Sequence, residues 1–394
     1  MNVDLSTLRE YLTDDDLDGY LIDATGADPN QRYVSGFSAP DPFQTVVTSD
    51  GVHLLVSGLE FGRAKKEAAA DTVTNTATYD SRKLRAEYGA HEGKARLLAA
   101  FLSDHDVESV AVPGDSPAAT VEGLRGRGVD VTVETNGVVE GIRATKTEEE
   151  IEHIRATQAA NQRAMAVAEG LIASADVRDG VLTLDDEPLT SERVKTEVEI
   201  ALLREGCSLD ETIVACGADA ADPHDRGSGP LEADQSIIVD IFPQDKETRY
   251  VGDMTRTFVR GTPSEELERW YEVTHAAFEA ALDAIEPGVT GEAVHERVCD
   301  VIEDAGYPTL RSDPETETGF IHGTGHGVGL EVHEGPRLSF NGEELEPGHV
   351  VTVEPGIYDP AVGGVRIEDL VVVTEDGYEN LTDYPIDVEP VDRR

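Results

Sequence analysis

The sequence predicts an α+β carboxyl-terminal domain preceded by a smaller α/β domain. After residue 146, two predicted helices and a group of strands are followed by two more helices and a second group of strands. This order is typical of an α+β domain and hints at an internal duplication. Before residue 141, short apolar runs bounded by turn residues alternate with helical stretches. The length of 394 residues is enough for two domains with separate cores.

The first predicted domain covers residues 1–140 and carries no cluster of His, Cys or paired acids. Ser49-Asp50-Gly51 lies between two apolar runs and indicates a hairpin. We expect this domain to supply shape, oligomer contacts and one wall of the active site. The expected elements are strands at 19–22, 45–48, 52–56 and 107–112 and a helix at 92–102.

The second predicted domain covers residues 146–394. Thr147 is placed to cap its first helix, and Glu150, three residues on, completes a capping box. A second helix begins near Thr190 and stops at Gly206, where a helix commonly ends. The further expected elements are a polar hairpin at 175–188, helices at 264–285 and 291–305, and strands at 212–216, 236–242, 255–260, 320–334, 350–354, 364–367 and 369–373.

The charge balance is extreme, with 80 acidic residues against 32 basic ones and a formal net charge of −48. The acids are spread along the whole chain, so they repel one another at low ionic strength and are screened in molar salt. We therefore expect a protein adapted to a salt-rich, halophilic cytoplasm. The same charge argues against nucleic acid or an anionic membrane as a partner.

Two features of the sequence predict where the protein is found. The amino terminus lacks the basic and apolar regions of a signal peptide. No apolar run approaches the roughly 18 residues of a membrane span. We expect a soluble, cytoplasmic protein without a membrane partner.

Three carboxylates lie where apolar runs end or begin. Asp240 ends the run Ile-Ile-Val, and Asp253 begins the next predicted strand, so a hairpin would bring these two acids close together. Glu354 ends another apolar run immediately before a Pro-Gly turn. Taken singly, an acid at a strand end is ordinary.

A glycine-rich segment, residues 322–334, is more specific because it holds three imidazoles. His322, His326 and His333 alternate with four glycines, which let the backbone pass close to bulky or charged neighbours. Further on, Arg366 and Glu368 stand two residues apart and are expected on one face of a strand. An acid and a base so placed are also compatible with a simple salt bridge.

Together these motifs offer four carboxylates and an imidazole, a ligand set suited to a pair of divalent metal ions. Like charges gathered at short range repel unless a cation lies between them. The sequence therefore predicts a metallohydrolase.

In this combination and order, the motifs resemble those of the pita-bread metallopeptidases, specifically the Xaa-Pro aminopeptidases and Xaa-Pro dipeptidases (prolidases). The resemblance covers nearly the whole chain. It implies a pita-bread catalytic domain after a creatinase-type amino-terminal domain. The two aspartates are 13 residues apart instead of the usual eleven, so the hairpin between them is longer. Because the two strands can still pair, we expect the ligand geometry to be kept. The family's metal ligands fall on Asp240, Asp253, His326, Glu354 and Glu368.

The resemblance also implies a role for each ligand. Asp253 and Glu368 would bridge two metals, Asp240 would chelate one of them, and His326 and Glu354 would complete the other. Mn²⁺ or Co²⁺ suits this oxygen-rich set better than a structural zinc. A metal-bridging hydroxide would attack the peptide bond between an amino-terminal residue and proline. Glu354 would carry its proton to the leaving nitrogen.

Further roles follow from the same resemblance. His224, His322 and His333 would line the pocket and stabilise the tetrahedral intermediate, and Arg366 would orient Glu368 or Tyr358. A homodimer is expected from the commonness of two-fold assemblies and from the family. Arg337 suits either the free carboxylate of a dipeptide or a surface ion pair, so the preferred length of the proline-containing peptide stays open.

Three other functions remain to be weighed. A methionine aminopeptidase shares the catalytic fold, but the extra amino-terminal domain argues against it. A hydrolase of a non-peptide C–N bond is possible on the same fold. A catalytically inactive binding module would usually lose metal ligands, and the sequence keeps all five.

Overall fold

The computed structural model describes residues 3–393. The chain divides into two compact units, Met1–Arg143 and Ala144–Arg394. Among the described residues, every helix is too short or too polar to cross a membrane.

The first unit is built on a six-stranded sheet with the strand order β4-β3-β2-β1-β5-β6. Pairs β1–β2 and β2–β3 are antiparallel, whereas β1–β5, β5–β6 and β3–β4 are parallel. The strands are β1 (Gly19–Ala24), β2 (Phe43–Thr48), β3 (Val52–Val56), β4 (Thr72–Asn75), β5 (Ser109–Pro113) and β6 (Asp130–Glu134). The helices are α1 (Ser6–Asp14), α2 (Pro29–Ser35), α3 (Phe61–Glu67), α4 (Ser81–Tyr88), α5 (Ala90–Ser103), α6 (Ala118–Arg125) and α7 (Val138–Ala144), with a 3₁₀ turn at Thr76–Tyr79.

The predicted strands and helix of the first domain are confirmed, including the hairpin of β2 and β3. The core lies between the sheet and α5, where Leu98 and Phe101 pack against Leu21, Val46 and Val110. The sequence analysis did not identify the other helices of this unit. They are short, and α4 buries none of its side chains, so they give little apolar periodicity.

The second unit contains two helix pairs, each followed by strands. The helices are α8 (Glu148–Ser174), α9 (Ser191–Arg204), α10 (Glu265–Ala284) and α11 (Gly291–Asp304). The strands of the first half are β7 (Asp176–Arg178), β8 (Val181–Leu184), β9 (Glu187–Pro188), β10 (Cys207–Ser208), β11 (Thr212–Cys216), β12 (Ser236–Ile241), β13 (Gln244–Asp245) and β14 (Met254–Val259), with a 3₁₀ turn at Asp219–Ala221. Those of the second half are β15 (Gly325–Gly327), β16 (Glu334–Leu338), β17 (Val350–Val353), β18 (Gly356–Asp359), β19 (Gly363–Arg366), β20 (Asp369–Thr374) and β21 (Gly377–Asn380).

The four helices begin where the sequence predicts. The Thr147 side chain accepts a hydrogen bond from the Glu150 N–H, and the Glu150 carboxylate accepts one from the Thr147 N–H, which completes the capping box. Thr190, Ser264 and Thr290 cap the other three helices in the same position.

Each helix pair forms a core with its own sheet. In the first half, Ile172 of α8 and Val198 of α9 share a core with Val239 and Phe258 of the sheet β11-β12-β14. In the second half, α10 and α11 bury their apolar faces with the sheet β16-β15-β17-β20-β21. The repeated order expected from the sequence therefore corresponds to two helix-on-sheet layers.

Three predicted elements differ in the structure. The single strand at 320–334 is wrong: only Gly325–Gly327 forms a strand there, and the chain turns back as β16. The glycines that suggested a close approach also break the ladder, and the pairing of β15 with β16 shifts register after His326. Glu368 lies between β19 and β20, not within a strand, and the hairpin at 175–188 is a three-stranded meander.

Candidate active site

The five predicted metal ligands line one cavity of about 1070 Å³ in the second unit. The same cavity wall includes His224, His322, His333, Arg337 and Arg366. Tyr358, the remaining predicted site residue, is fully buried behind this wall and contacts His322 and Arg366. The structure therefore brings together every residue that the sequence analysis selected.

The two aspartates reach the cavity from the hairpin of β12 and β14. Asp240 pairs with Thr255 across the ladder, and Asp253 comes immediately before β14. The longer connection does not disturb this pairing, because its Gln244 and Asp245 form β13 and pair with β10. The expectation that the two strands still pair is confirmed.

His326 is held with one nitrogen facing the cavity. A Cβ at Gly325 would lie 1.9 Å from the Thr352 carbonyl oxygen, and one at Gly327 would lie 2.0 Å from the Gly335 carbonyl oxygen, so only glycine fits on either side. The His326 Nδ1–H donates to the Gly327 carbonyl at 3.1 Å. This bond leaves the lone pair of Nε2 directed towards the carboxylates.

The His326 imidazole is neutral, because burial and then the neighbouring His333 lower its pKa to about 3. Its Nε2 lies 3.3 Å from Glu354 Oε1 and 3.9 Å from Asp253 Oδ2. With a neutral ring these contacts are not ion pairs. They are close approaches between atoms that can all bind a metal.

The spacing, pKa values and hydrogen bonding of the carboxylates are those expected of a cation site. Asp253, His326 and Glu368 each offer a ligand atom within 4.8 Å of the others. Burial, followed by the charge of nearby carboxylates, raises the pKa values of Asp253 and Glu368 well above their usual range. Asp240 Oδ1 is buried without a hydrogen-bond partner among the described residues. Divalent cations would relieve this repulsion and satisfy this oxygen, so the donor set fits them.

Arg366 connects Asp240, one of the predicted metal ligands, to Tyr358. Its Nη2 donates to Asp240 Oδ2 at 2.8 Å, its Nη1 to Tyr358 Oη at 3.0 Å, and its Nε to Thr255 Oγ1 at 3.2 Å. The expected contact with Tyr358 is present. The carboxylate beside Arg366 is Asp240, 126 residues away in the chain, and not the neighbouring Glu368.

The three pocket histidines differ in what they can offer a substrate. The His322 Nδ1–H donates to the Gly323 carbonyl at 2.7 Å, so its Nε2 accepts the Tyr358 hydroxyl at 2.9 Å. Both nitrogens of His322 are thus engaged. His333 packs edge-on against His326 with 4.4 Å between ring centroids, and His224 is exposed at the rim.

Sequence reasoning missed two threonines that hold the carboxylates. The Thr255 hydroxyl donates to Glu368 Oε2 at 2.6 Å, and the Thr352 hydroxyl donates to Glu354 Oε1 at 3.3 Å. Thr255 and Thr352 each lie two residues from a metal ligand, Asp253 and Glu354. Because side chains two apart in extended chain share a face, this spacing was a usable signal.

Arg337 is the cross-strand neighbour of His326 in the pair β15–β16. Both side chains therefore point to the same side of the sheet, and Arg337 lines the cavity. Within residues 3–393, no carboxylate forms an ion pair with its guanidinium. In a chain with so many acids, this cation is available to a ligand.

Comparison with known proteins identifies the family. Residues 152–375 match metallopeptidase family M24, and residues 5–145 match the creatinase/prolidase N-terminal domain. An Xaa-Pro dipeptidase of Pyrococcus furiosus is 30% identical over 96% of this chain and 97% of its own.

Two solved structures agree with this family. The prolidase of Pyrococcus horikoshii superposes with a TM-score of 0.79 at 26% identity, covering 98% of this chain and 99% of its own. An X-Pro aminopeptidase of Thermotoga maritima gives 0.77 at 26% identity, covering 95% and 98%. These matches confirm the creatinase-type and pita-bread fold, and the chain belongs to metallopeptidase family M24, whose members use divalent metal ions.

Proposed function

We propose that this metallopeptidase hydrolyses the bond between an amino-terminal residue and proline, using two divalent ions, Mn²⁺ or Co²⁺. The observation that carries the proposal is the convergence of four carboxylates and a neutral imidazole in one cavity. The Xaa-Pro dipeptidase and X-Pro aminopeptidase among the similar proteins support the substrate class.

Asp240, Asp253, Glu354, Glu368 and His326 Nε2 would hold the two ions, and Asp240 would contribute its Oδ1, which has no hydrogen-bond partner among the described residues. When bound, such a pair supplies a hydroxide at neutral pH and polarises the scissile carbonyl. The donor set contains one imidazole and otherwise oxygen, which favours Mn²⁺ or Co²⁺ over a structural zinc.

Glu354 is suited to move the proton. Burial raises its pKa to about 7, with Arg366 opposing and Asp240 adding to the rise. This pKa belongs to the metal-free site, and bound cations would lower it, so Glu354 would meet the substrate as an ionised carboxylate that can accept a proton. It would take the proton of the attacking water and deliver it to the proline nitrogen.

The surrounding residues would bind and orient the substrate. His224 and His333 have ring nitrogens available to the scissile carbonyl oxygen and to the charge that develops on it. His322, whose nitrogens are both engaged, would act from the cavity wall by holding the Tyr358 hydroxyl. Arg366 would fix Tyr358 and Asp240 together.

The length of the peptide depends on Arg337. A guanidinium on the face of His326, with no acidic partner in the part of the chain that the structure describes, fits the free carboxylate of an Xaa-Pro dipeptide. We therefore propose dipeptides as the preferred substrates. We further propose a cytoplasmic homodimer adapted to high salt, with proline-containing peptides as its partners and no nucleic acid or membrane.

The test is product analysis in molar KCl with Mn²⁺, offering an Xaa-Pro dipeptide beside an Xaa-Pro-Yaa tripeptide. Cleavage of the dipeptide alone, abolished by a chelator, is the expected result. Cleavage of the tripeptide would make the protein an aminopeptidase. Cleavage of neither would overturn the proposal and direct the search to non-peptide C–N bonds.

A further inference from the structure

We propose that residues 380–385, the C-terminal clamp, fix the main chain of Asp253 and Glu368 through two buried side chains, Gln158 and Arg256. The proposal rests on the proposed function of these carboxylates as metal ligands. It adds positioning residues that touch no metal. The clamp begins at the last residue of β21 and lies beyond residue 375, where the match to family M24 ends.

Both carboxylates lie just outside a strand. Asp253 precedes β14, and Glu368 lies between β19 and β20. Their buried peptide groups therefore need partners other than a regular ladder. Side chains from distant parts of the chain supply most of these partners.

Gln158 of α8 bonds both peptide groups of Asp253. Its Oε1 accepts the Asp253 N–H at 2.9 Å, and its Nε2 donates to the Asp253 carbonyl at 2.8 Å. This fully buried amide takes the place of a neighbouring strand. Its second Nε2 hydrogen donates at 2.8 Å to Oγ1 of Thr382 in the clamp, which also accepts the Leu370 N–H.

Arg256 plays the same part for Glu368, and all five of its N–H groups have acceptors. Nη1 donates to the carbonyls of Glu368 at 2.7 Å and Thr255 at 3.0 Å. Nη2 donates to Asp369 Oδ1 at 2.8 Å and to the Tyr384 carbonyl at 2.7 Å, and Nε donates to the Pro385 carbonyl at 3.0 Å. Two of the five acceptors belong to the clamp, and no other side chain offers five donors in this arrangement.

The clamp is itself anchored by a buried carboxylate. Glu169 of α8 accepts the Tyr384 hydroxyl, the Val391 N–H at 2.8 Å and Arg393 Nε at 2.9 Å. Its side chain is fully buried. Glu169 thus holds the chain at Tyr384, within the clamp, and at Val391 and Arg393 beyond it.

Groups that hold metal ligands in place affect metal affinity. Removing these contacts should therefore weaken metal binding itself, which can be measured without a catalytic assay. The test is calorimetric titration of the metal-free protein with Mn²⁺ in molar KCl. We expect Gln158→Met, which is close in length and uncharged, to raise the Mn²⁺ Kd about 10- to 100-fold. Thr382→Val, which removes the acceptor of Gln158 Nε2 and of the Leu370 N–H, should raise it by roughly 10-fold or less.

The matched control is Gln31→Met in the first unit. Gln31 is also a fully buried amide that donates to a backbone carbonyl, that of Phe43 at 2.8 Å. We expect it to lower the melting temperature of the metal-free protein as Gln158→Met does, while the Mn²⁺ Kd stays unchanged. A Kd unchanged in both Gln158→Met and Thr382→Val would overturn the clamp. If the wild type bound neither Mn²⁺ nor Co²⁺ in the same titration, the proposed function would be overturned instead.

Discussion

Replacing Arg337 with Met should weaken catalysis on Xaa-Pro dipeptides specifically. The guanidinium faces the cavity beside His326 and lacks an acidic partner among the described residues. A hydrogen bond to a charged group contributes about 1.5–3 kcal/mol, and the exposure of Arg337 favours the lower value. About 1.4 kcal/mol is tenfold, so kcat/KM should fall about tenfold, mainly through KM.

The assay compares an Xaa-Pro dipeptide with the same dipeptide amide, in which the carboxylate is removed. Arg337 also lowers the pKa values of His326 and Glu354, after burial and other causes, so its loss shifts the site for any substrate. That effect is common to the acid and the amide and cancels in their ratio. In the wild type, kcat/KM should be about tenfold higher for the acid than for the amide. Arg337→Met should lower kcat/KM for the acid and thereby bring this ratio down to near one.

Arg226 provides the matched control, because it lines the same cavity but its guanidinium is paired with Glu211. Arg226→Met should leave the ratio of acid to amide as in the wild type. If Arg337→Met lowers turnover of the acid and the amide equally, Arg337 does not bind the carboxylate, and the preference for dipeptides loses its structural support.

Three further predictions concern the metal site, pH and salt. Asp253→Asn should abolish peptidase activity, and substantial turnover by this variant would contradict the two-metal arrangement. The metal-free variant should melt at the same or a higher temperature than the wild type, because the substitution removes a buried acidic group from among other carboxylates. Burial and then Lys146 lower the pKa of His349 to about 4 from an ordinary 6.5, so the folded state loses stability as pH falls from 6.5 towards 4. His349→Asn keeps an acceptor for the Glu346 N–H. In urea titrations it should remove up to about 3 kcal/mol of the change in unfolding free energy between pH 6.5 and pH 4. If the unfolding free energy changed with pH as in the wild type, His349 would not be the group responsible. Finally, the melting temperature measured by circular dichroism should rise between 0.01 M and roughly 2 M KCl. The Debye length falls from about 30 Å to under 3 Å over this range, so the repulsion between surface acids is screened. Equal melting temperatures would contradict salt adaptation.

The sequence reveals most of what is decided locally. Thr147 and Glu150 specify the start of α8 within four residues, and the hairpin of β2 and β3 needs only its turn and two apolar runs. The five predicted metal ligands could be selected because their short contexts, several of them ordinary when taken singly, occur together and in one order. His326, between two glycines, is one example. A Cβ at either glycine would lie 2.0 Å or less from a carbonyl oxygen, so no larger residue fits at these positions.

The sequence does not reveal hydrogen bonds between side chains that are far apart along the chain. Arg366 was expected beside Glu368 because they are two residues apart, but it bonds Asp240, 126 residues away. Gln158 bonds Asp253 across 95 residues, and nothing in the pattern of α8 separates it from an ordinary polar side chain. Such pairings depend on how two layers meet, which neither propensity nor periodicity encodes.

Charge acts in two different ways in this protein, on its surface and within the cavity. Surface acids repel across water, so KCl screens them, whereas the carboxylates of Asp240, Asp253 and Glu368 are buried and screened much less. Burial, followed by the charge of neighbouring carboxylates, Asp240 and Glu354 among them, raises the pKa values of Asp253 and Glu368, and a cation within the cavity would relieve that repulsion. Metal binding to the folded state alone adds stability by mass action. Removing metal with a chelator should therefore lower the melting temperature even in molar KCl, and a chelator effect that vanished at high salt would place the repulsion on the surface instead of in the site.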